Sequence, residues 1–122
     1  MRVLSARIHG YLDFAIIAVL AIGSLAVGLG GTPLLIAWLV AAALLILTLA
    51  TRFPIGIWRV IPFWVHGLIE LAVAVFFVSL PFSAGYSPGS PARRFYVAMA
   101  ALIFLVWVLT DYKTEDGLQS AP

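Results

Sequence analysis

The sequence has no cysteine, and among its 122 residues only five are acidic and seven are Lys or Arg. Without thiols there can be no disulfide framework, no thiolate metal site, no thiol–disulfide redox chemistry and no lipid anchor on an N-terminal thiol. The shortage of charge excludes as much. Charged residues make up 10% of the chain, where a soluble domain carries about 25%. The net charge of +2 comes from a few scattered arginines and forms no patch for nucleic acid. Enzyme signatures are missing too: there is no His-Glu-x-x-His, no Gly-x-Ser-x-Gly, no phosphate loop and no dinucleotide fingerprint. No stretch alternates polar and apolar residues with the period of two that a membrane barrel requires. Neither an enzyme nor a nucleic-acid binder is expected.

What is present is apolar. Hydrophobic residues account for 64% of the chain and the mean hydropathy is +1.14, more apolar surface than a soluble fold of this length can hide. The chain is expected to be one integral membrane domain over residues 1–122. Its apolar segments run from about Ser5 to Gly28, Pro33 to Thr51, Pro62 to Leu80 and Pro91 to Asp111. Each is close to the ~20 residues a helix needs to cross the hydrocarbon core. The fold class is therefore all-α, a four-transmembrane-helix bundle. Thr32-Pro33 and Ser90-Pro91 place a capping hydroxyl before a proline at the first helical position, and Pro62 is a similar start. Gly28, Gly30 and Gly31 mark the first outer turn, Pro81 to Ser90 the second.

With four spans, both termini and the central connection share one side. That side holds Arg2, Arg7, Arg52, Arg59 and Lys113, against Arg93 and Arg94 on the other. Both termini are accordingly expected in the cytoplasm. Trp58, Phe63, Trp64, Trp107 and Tyr112 form an expected inner aromatic belt, with Phe82, Tyr86, Phe95 and Tyr96 as the outer one. The polar tail, 113–122, is expected to fray. A secretory signal is disfavoured for the first span, because His9 and Asp13 interrupt it.

The chain also repeats itself. Arg2, Val3, His9, Gly10 and Asp13 recur as Arg59, Val60, His66, Gly67 and Glu70, with apolar residues exchanged in kind between them. Repeat one covers about 2–52 and repeat two about 59–112. A shift of 57 superposes the first and third spans and a shift of 58 the second and fourth, which fits a longer second outer loop. A two-span repeat crosses an even number of times, so the copies run the same way through the membrane.

In this doubled opening, with its basic residue and His-x-x-x-acid stretch, the chain resembles the SPW-repeat family of small bacterial membrane proteins. The Val-Ile-Pro run before His66 and the Thr110-Asp111-Tyr112 ending add to the likeness. The family's Ser-Pro-Trp tripeptide is replaced here by Gly23-Ser24-Leu25 and Leu80-Pro81-Phe82. The resemblance implies a multi-pass protein of the bacterial cytoplasmic (inner) membrane and no particular activity.

His9 and Asp13 are four residues apart and share a helix face, as do His66 and Glu70. Each carboxylate lies about 12 Å along its helix at 1.5 Å per residue, where an ionised group costs roughly 2.5–3.5 kcal/mol. Both stripes should therefore face the bundle interior, continuing through Ile17, Leu20, Ser24 and Gly28 in one and Ala74, Phe77, Pro81 and Gly85 in the other. The favoured reading of His9, Asp13, His66 and Glu70 is a helix-registering cluster, each His bonded to its own helix's carboxylate or to Arg7 or Arg52. Other readings are a proton or ion path and a metal or haem site on His9 and His66. Gly10, Gly67, Ser24 and Gly28, with Ala37 and Ala41, read as close-packing positions. Arg93 and Arg94 read as snorkelling cations, or as an anion site at a helix start.

The expected function is that of a small structural or interaction protein with the lipid bilayer as solvent, self-associating or attached to a larger membrane complex. A proton-linked carrier or pore and a haem-binding electron-transfer bundle are the alternatives. No cofactor or metal is required by the pattern.

Overall fold

A computed structural model of the chain describes residues 3–51, 57–58, 60–110 and 112. Arg2, Arg52, Arg59, Asp111 and the tail from Lys113 lie outside the described residues, and with them most of the basic residues that set the expected orientation.

Among the described residues four helices occur in order: α1 Ala6–Ala26, α2 Gly31–Ala50, α3 Phe63–Ser83 and α4 Pro91–Leu109, all long and apolar enough to cross a membrane. Their outward faces carry large aliphatic side chains, among them Ile22, Leu39, Ile46, Val75 and Leu105, each more than half exposed. On a chain this poor in charge, such faces suit lipid. α1 packs on α2 and α3 on α4, and one apolar core joins the two hairpins through Leu20, Ala37, Phe77, Tyr96 and Ile103.

The helix starts are partly those the sequence marks. Ser5 accepts from the Ile8 amide at 3.3 Å. Ser90 accepts from the Arg93 amide at 3.1 Å, with Pro91 at the first helical position. Thr32 caps nothing: α2 begins one residue earlier, at Gly31, and its cap, Gly30, makes no side-chain bond. Pro62 precedes α3 as its cap residue and is not inside it.

α1 and α3 end alike. The Leu29 amide reaches the Ser24 carbonyl at 3.0 Å, and the Tyr86 amide reaches Pro81 at 2.8 Å. Each bond closes around a left-handed glycine, Gly28 with φ +88° and Gly85 with φ +75°, as in a Schellman ending. Gly28 is thus no packing glycine. It is exposed, and nothing lies within 4 Å of where its Cβ would be. Pro81 does not open the outer loop either, because α3 continues through it to Ser83. A proline this close to the helix end forfeits one amide bond and leaves little helix beyond it to be kinked.

The two hairpins differ in α1, whose Val19–Gly23 segment is π-helical where α3 is α-helical throughout. The widened turn leaves the Ala21 carbonyl accessible. It accepts from the Trp38 indole at 3.0 Å and from the Ser24 hydroxyl at 3.2 Å. The aromatic belts are also only partly as expected. Trp58, Trp64 and Phe82 are exposed, but Phe63, Phe95 and Tyr96 are buried in the bundle. Tyr96 donates its hydroxyl to the Pro33 carbonyl at 2.6 Å, tying α4 to the start of α2. Tyr96→Phe, which keeps the ring and deletes this bond, should lower stability by about 1 kcal/mol. The check is the unfolding midpoint of the purified protein in mild detergent.

Candidate functional site: a ring of two histidines and two carboxylates

One face of α1 carries His9 and Asp13, and the corresponding face of α3 carries His66 and Glu70. All four are buried, with side-chain exposures of 5% or less. His9 Nε2 lies 2.8 Å from Glu70 Oε1 and 3.2 Å from Asp13 Oδ1. His66 Nε2 lies 2.8 Å from Asp13 Oδ2 and 3.1 Å from Glu70 Oε2. Each carboxylate therefore bridges both imidazoles, one oxygen to each, and the four side chains close into a ring.

The ring corrects the expected pairing. The shorter contact of each His is to the carboxylate of the other repeat, and the contact within its own helix is the longer one. Arg7 takes no part, being exposed on another face of α1, and Arg52 is outside the described residues. The interior stripes run through Leu20 and Ser24 in α1 and through Ala74, Phe77 and Pro81 in α3, all buried, and stop before Gly28 and Gly85; Ile17 is only half-buried, and its neighbour Ile16 is the residue in the core.

Two threonines complete the site. His9 Nδ1 is 2.7 Å from Thr110 Oγ1, and His66 Nδ1 is 2.7 Å from Thr51 Oγ1. Each threonine hydroxyl donates to the carbonyl four residues back, Thr110 to Val106 and Thr51 to Leu47, both at 2.6 Å. Having spent its hydrogen there, each hydroxyl accepts from the imidazole, so the bonding network assigns a proton to each Nδ1. Nε2 is then the nitrogen that faces the carboxylates.

Thr51 and Thr110 are placed by a second exchange between the repeats. Each is the cap residue ending its helix in extended conformation, with ψ of 146° and 138°. There Thr51 bridges to Ile61 and Thr110 to Leu4. The Ile61 amide donates to Ala50 at 2.8 Å and the Leu4 amide to Leu109 at 2.9 Å. The end of each repeat thus pairs with the start of the other, setting each threonine beside the other repeat's histidine. Sequence reasoning passed over both. The signal was there in Thr51-Arg52-Phe53 and Thr110-Asp111-Tyr112, a threonine, a charged residue and an aromatic repeated at an offset of 59.

Aromatic rings close the site toward the end of the bundle that carries the termini. Phe63, fully buried, meets His9 edge-on with ring centroids 5.3 Å apart, and Tyr112 lies 4.7 Å from Phe63 and 5.6 Å from His9. Burial pushes the Tyr112 phenol well above its usual range, and the Glu70 and Asp13 carboxylates add to this, so it stays protonated. Gly67 makes room for that ring: a Cβ there would lie 2.7 Å from Tyr112 Cε1 and 2.8 Å from Cζ. Its packing role is with a loop aromatic and not, as expected, with a neighbouring helix. Gly10 is buried next to His9, and Phe53, the sequence counterpart of Tyr112, is outside the described residues. Ser24 is buried beside the π-helical turn. At the far end Arg93 stacks 4.3 Å over Phe82, with Nη1 3.5 Å from the Tyr86 carbonyl, and Arg94 is exposed.

Comparison of the chain with protein-family models, with curated proteins and with solved structures finds no match. The resemblance to SPW-repeat proteins rests on the quoted residues alone.

The threonines and Gly67 can each be tested by substitution. Thr51→Val and Thr110→Val each leave a buried imidazole N–H without its acceptor and should cost about 1–3 kcal/mol apiece. Unfolding midpoints check the cost, and matched costs would reflect the exchange between repeats. Gly67→Ala should destabilise despite the roughly 1 kcal/mol that alanine gains over glycine in a helix. In a Tyr112→Ala background the clash is gone, and the same substitution should become neutral or stabilising. Equal effects in both backgrounds would contradict the Tyr112 packing.

Proposed function

We propose that the protein is a small structural or interaction protein of the bacterial cytoplasmic membrane. In this reading the His9/Asp13/His66/Glu70 ring is the clasp that fixes its two repeats to each other. One observation carries the proposal: the inward-facing polar atoms of the ring are turned on one another and on Thr51 and Thr110. A proton on each Nε2 makes two imidazoliums facing two carboxylates, a buried group of zero net charge, which is how ionisable residues persist inside a bundle. The excess of Lys and Arg on the side of the termini supports a cytoplasmic location for both. The exposed apolar faces leave room for self-association or attachment to a larger membrane complex.

The test is removal of one partner. Asp13→Asn and Glu70→Gln should each destabilise the detergent-solubilised protein by about 3 kcal/mol, the range for breaking a buried pair. If the midpoints stay unchanged while a cellular phenotype is lost, the clasp reading fails.

A second reading, a proton-linked carrier or pore using Asp13 and Glu70, is favoured by the presence of exchangeable protons within the bundle. It predicts a proton flux in proteoliposomes that Asp13→Asn and Glu70→Gln abolish. Flux equal to that of empty liposomes, across a gradient and a broad solute panel, counts against it. The haem reading fares worse. The two imidazole rings are 5.5 Å apart by centroid and nearly perpendicular at 79°, with carboxylates between the Nε2 atoms where a macrocycle would have to lie.

A further inference from the structure

The ring has the donor set of a metal centre. His9, Asp13, His66 and Glu70 each offer one ligand atom within 4.8 Å of the others, and all four are buried. We propose that this ring binds one divalent d-block cation of the Zn²⁺ or Co²⁺ class, through His9 Nε2, His66 Nε2 and one oxygen from each carboxylate. The inference rests on the same cluster as the clasp reading and adds an occupant to it.

Three independent features point to a cation. The first is Asp13. It is 2% exposed, and its two oxygens sit 2.8 and 3.2 Å from imidazole nitrogens. Yet neither receives a hydrogen bond of acceptable direction. The contacts hold the carboxylate by charge and distance without linear N–H bonds, and a cation between the same atoms needs no such alignment. The second is the pair of threonines. A metal-bound histidine characteristically donates its other ring N–H to an oxygen, which fixes the tautomer and aims the remaining nitrogen at the ion. Thr110 and Thr51 do this for His9 and His66. They are themselves held by bonds to Val106 and Leu47.

The third is size and charge. Four donors tetrahedrally placed at about 2.05 Å from an ion are about 3.3 Å apart. The nitrogen–oxygen contacts around the ring, 2.8, 2.8, 3.1 and 3.2 Å, use both oxygens of each carboxylate, and one donor atom from each residue lies within 4.8 Å of the other three, so seating one ion requires the widest of these separations to close by up to about 1.5 Å. The exchange also balances. One M²⁺ enters and the two Nε2 protons leave, nothing is oxidised or reduced, and a site of zero net charge stays at zero. Two imidazoles in the donor set favour Zn²⁺ or Co²⁺ over Mg²⁺ and Ca²⁺, which take oxygen ligands. Four protein ligands and near-complete burial make this a closed, structural type of site.

The experiment uses the full chain in detergent, stripped with chelator and then given ZnCl₂, CoCl₂, MgCl₂ or CaCl₂. Expected are one Zn²⁺ per chain and a raised unfolding midpoint. Co²⁺ should develop the visible absorption of a tetrahedral ion, while Mg²⁺ and Ca²⁺ leave the midpoint unmoved. Asp13→Asn and His66→Gln should lose both the shift and the absorption. If these variants do not fold, Thr51→Val and Thr110→Val keep the ligands, and each should weaken Zn²⁺ binding about 10–100-fold.

The proposal is overturned if folded wild-type protein shows neither shift nor absorption at millimolar ion. It is also overturned if both persist in folded Asp13→Asn, or if both threonine variants bind like wild type. No metal response, together with destabilised ring variants in chelator, removes the metal and leaves the clasp. A metal response, with metal-free ring variants as stable as metal-free wild type, removes the protonic clasp and leaves the metal.

Discussion

Four ionisable side chains inside a helical bundle have no water to turn to, so they must satisfy one another. The geometry around His9, Asp13, His66 and Glu70 is a consequence of that constraint. Two carboxylates alone would repel, and two imidazoliums alone would do the same. Alternated around a ring, each charge has an opposite neighbour on either side. Such a ring can close only if α1 and α3 present their polar turns at one level. A slip of one residue in either helix rotates its stripe by about 100° and breaks both cross-repeat contacts. On the clasp reading, the polar cluster fixes what apolar packing leaves loose, since lipid tails are as apolar as the core and give little preference for one register.

The same constraint explains why the repeats exchange their ends. A histidine whose Nε2 is committed to carboxylates still has a second ring nitrogen to satisfy. A threonine of the other repeat supplies a partner for it. The chain ends α2 and α4 in threonines whose extended backbone pairs with the start of the other repeat, Thr51 with Ile61 and Thr110 with Leu4. Four short pairings, two of backbone and two of side chain, thus link the hairpins around the ring. Away from it the two-fold likeness relaxes. Trp38 meets a π-helical turn in α1, where α3 has Ser79, Pro81 and Ser83. The loop after α1 is shorter than the one after α3. Sequence has diverged where only apolar packing is at stake and has kept its pattern where buried charge must be matched.

Much of this is legible in the sequence. Four spans, their approximate limits, and the convergence of His9, Asp13, His66 and Glu70 come from hydropathy, i,i+4 spacing and the cost of buried charge. Periodicity is silent on which carboxylate each His prefers, because both choices put the same four residues inside. Pairing within one helix is the choice that needs no tertiary information, and the tertiary geometry reverses it. Thr51 and Thr110 escape notice for a related reason: a threonine at a helix end is ordinary, and only the exchange of repeat ends brings it to an imidazole. Phe63 and Tyr96 read as belt aromatics by position along the helix. Depth alone cannot tell a ring that faces headgroups from one that faces the core.

The use of histidine as the cation is itself informative. If neutralising Asp13 and Glu70 were the whole task, arginine would serve, with a fork of donors matched to a carboxylate and a charge it never gives up. The chain has arginines at 2, 7, 52, 59, 93 and 94, yet among the described residues the nitrogens that face the two carboxylates are those of imidazoles. Imidazole differs in two respects that matter here. Its two nitrogens can be assigned separate tasks, as Thr51 and Thr110 do by holding each Nδ1. And Nε2 can release its proton while staying a ligand, which guanidinium cannot. A ring of arginines and carboxylates would be a fixed weld. A ring of histidines and carboxylates is neutral with two protons and neutral with one divalent cation in their place, so an exchange of occupant would leave its charge balance intact.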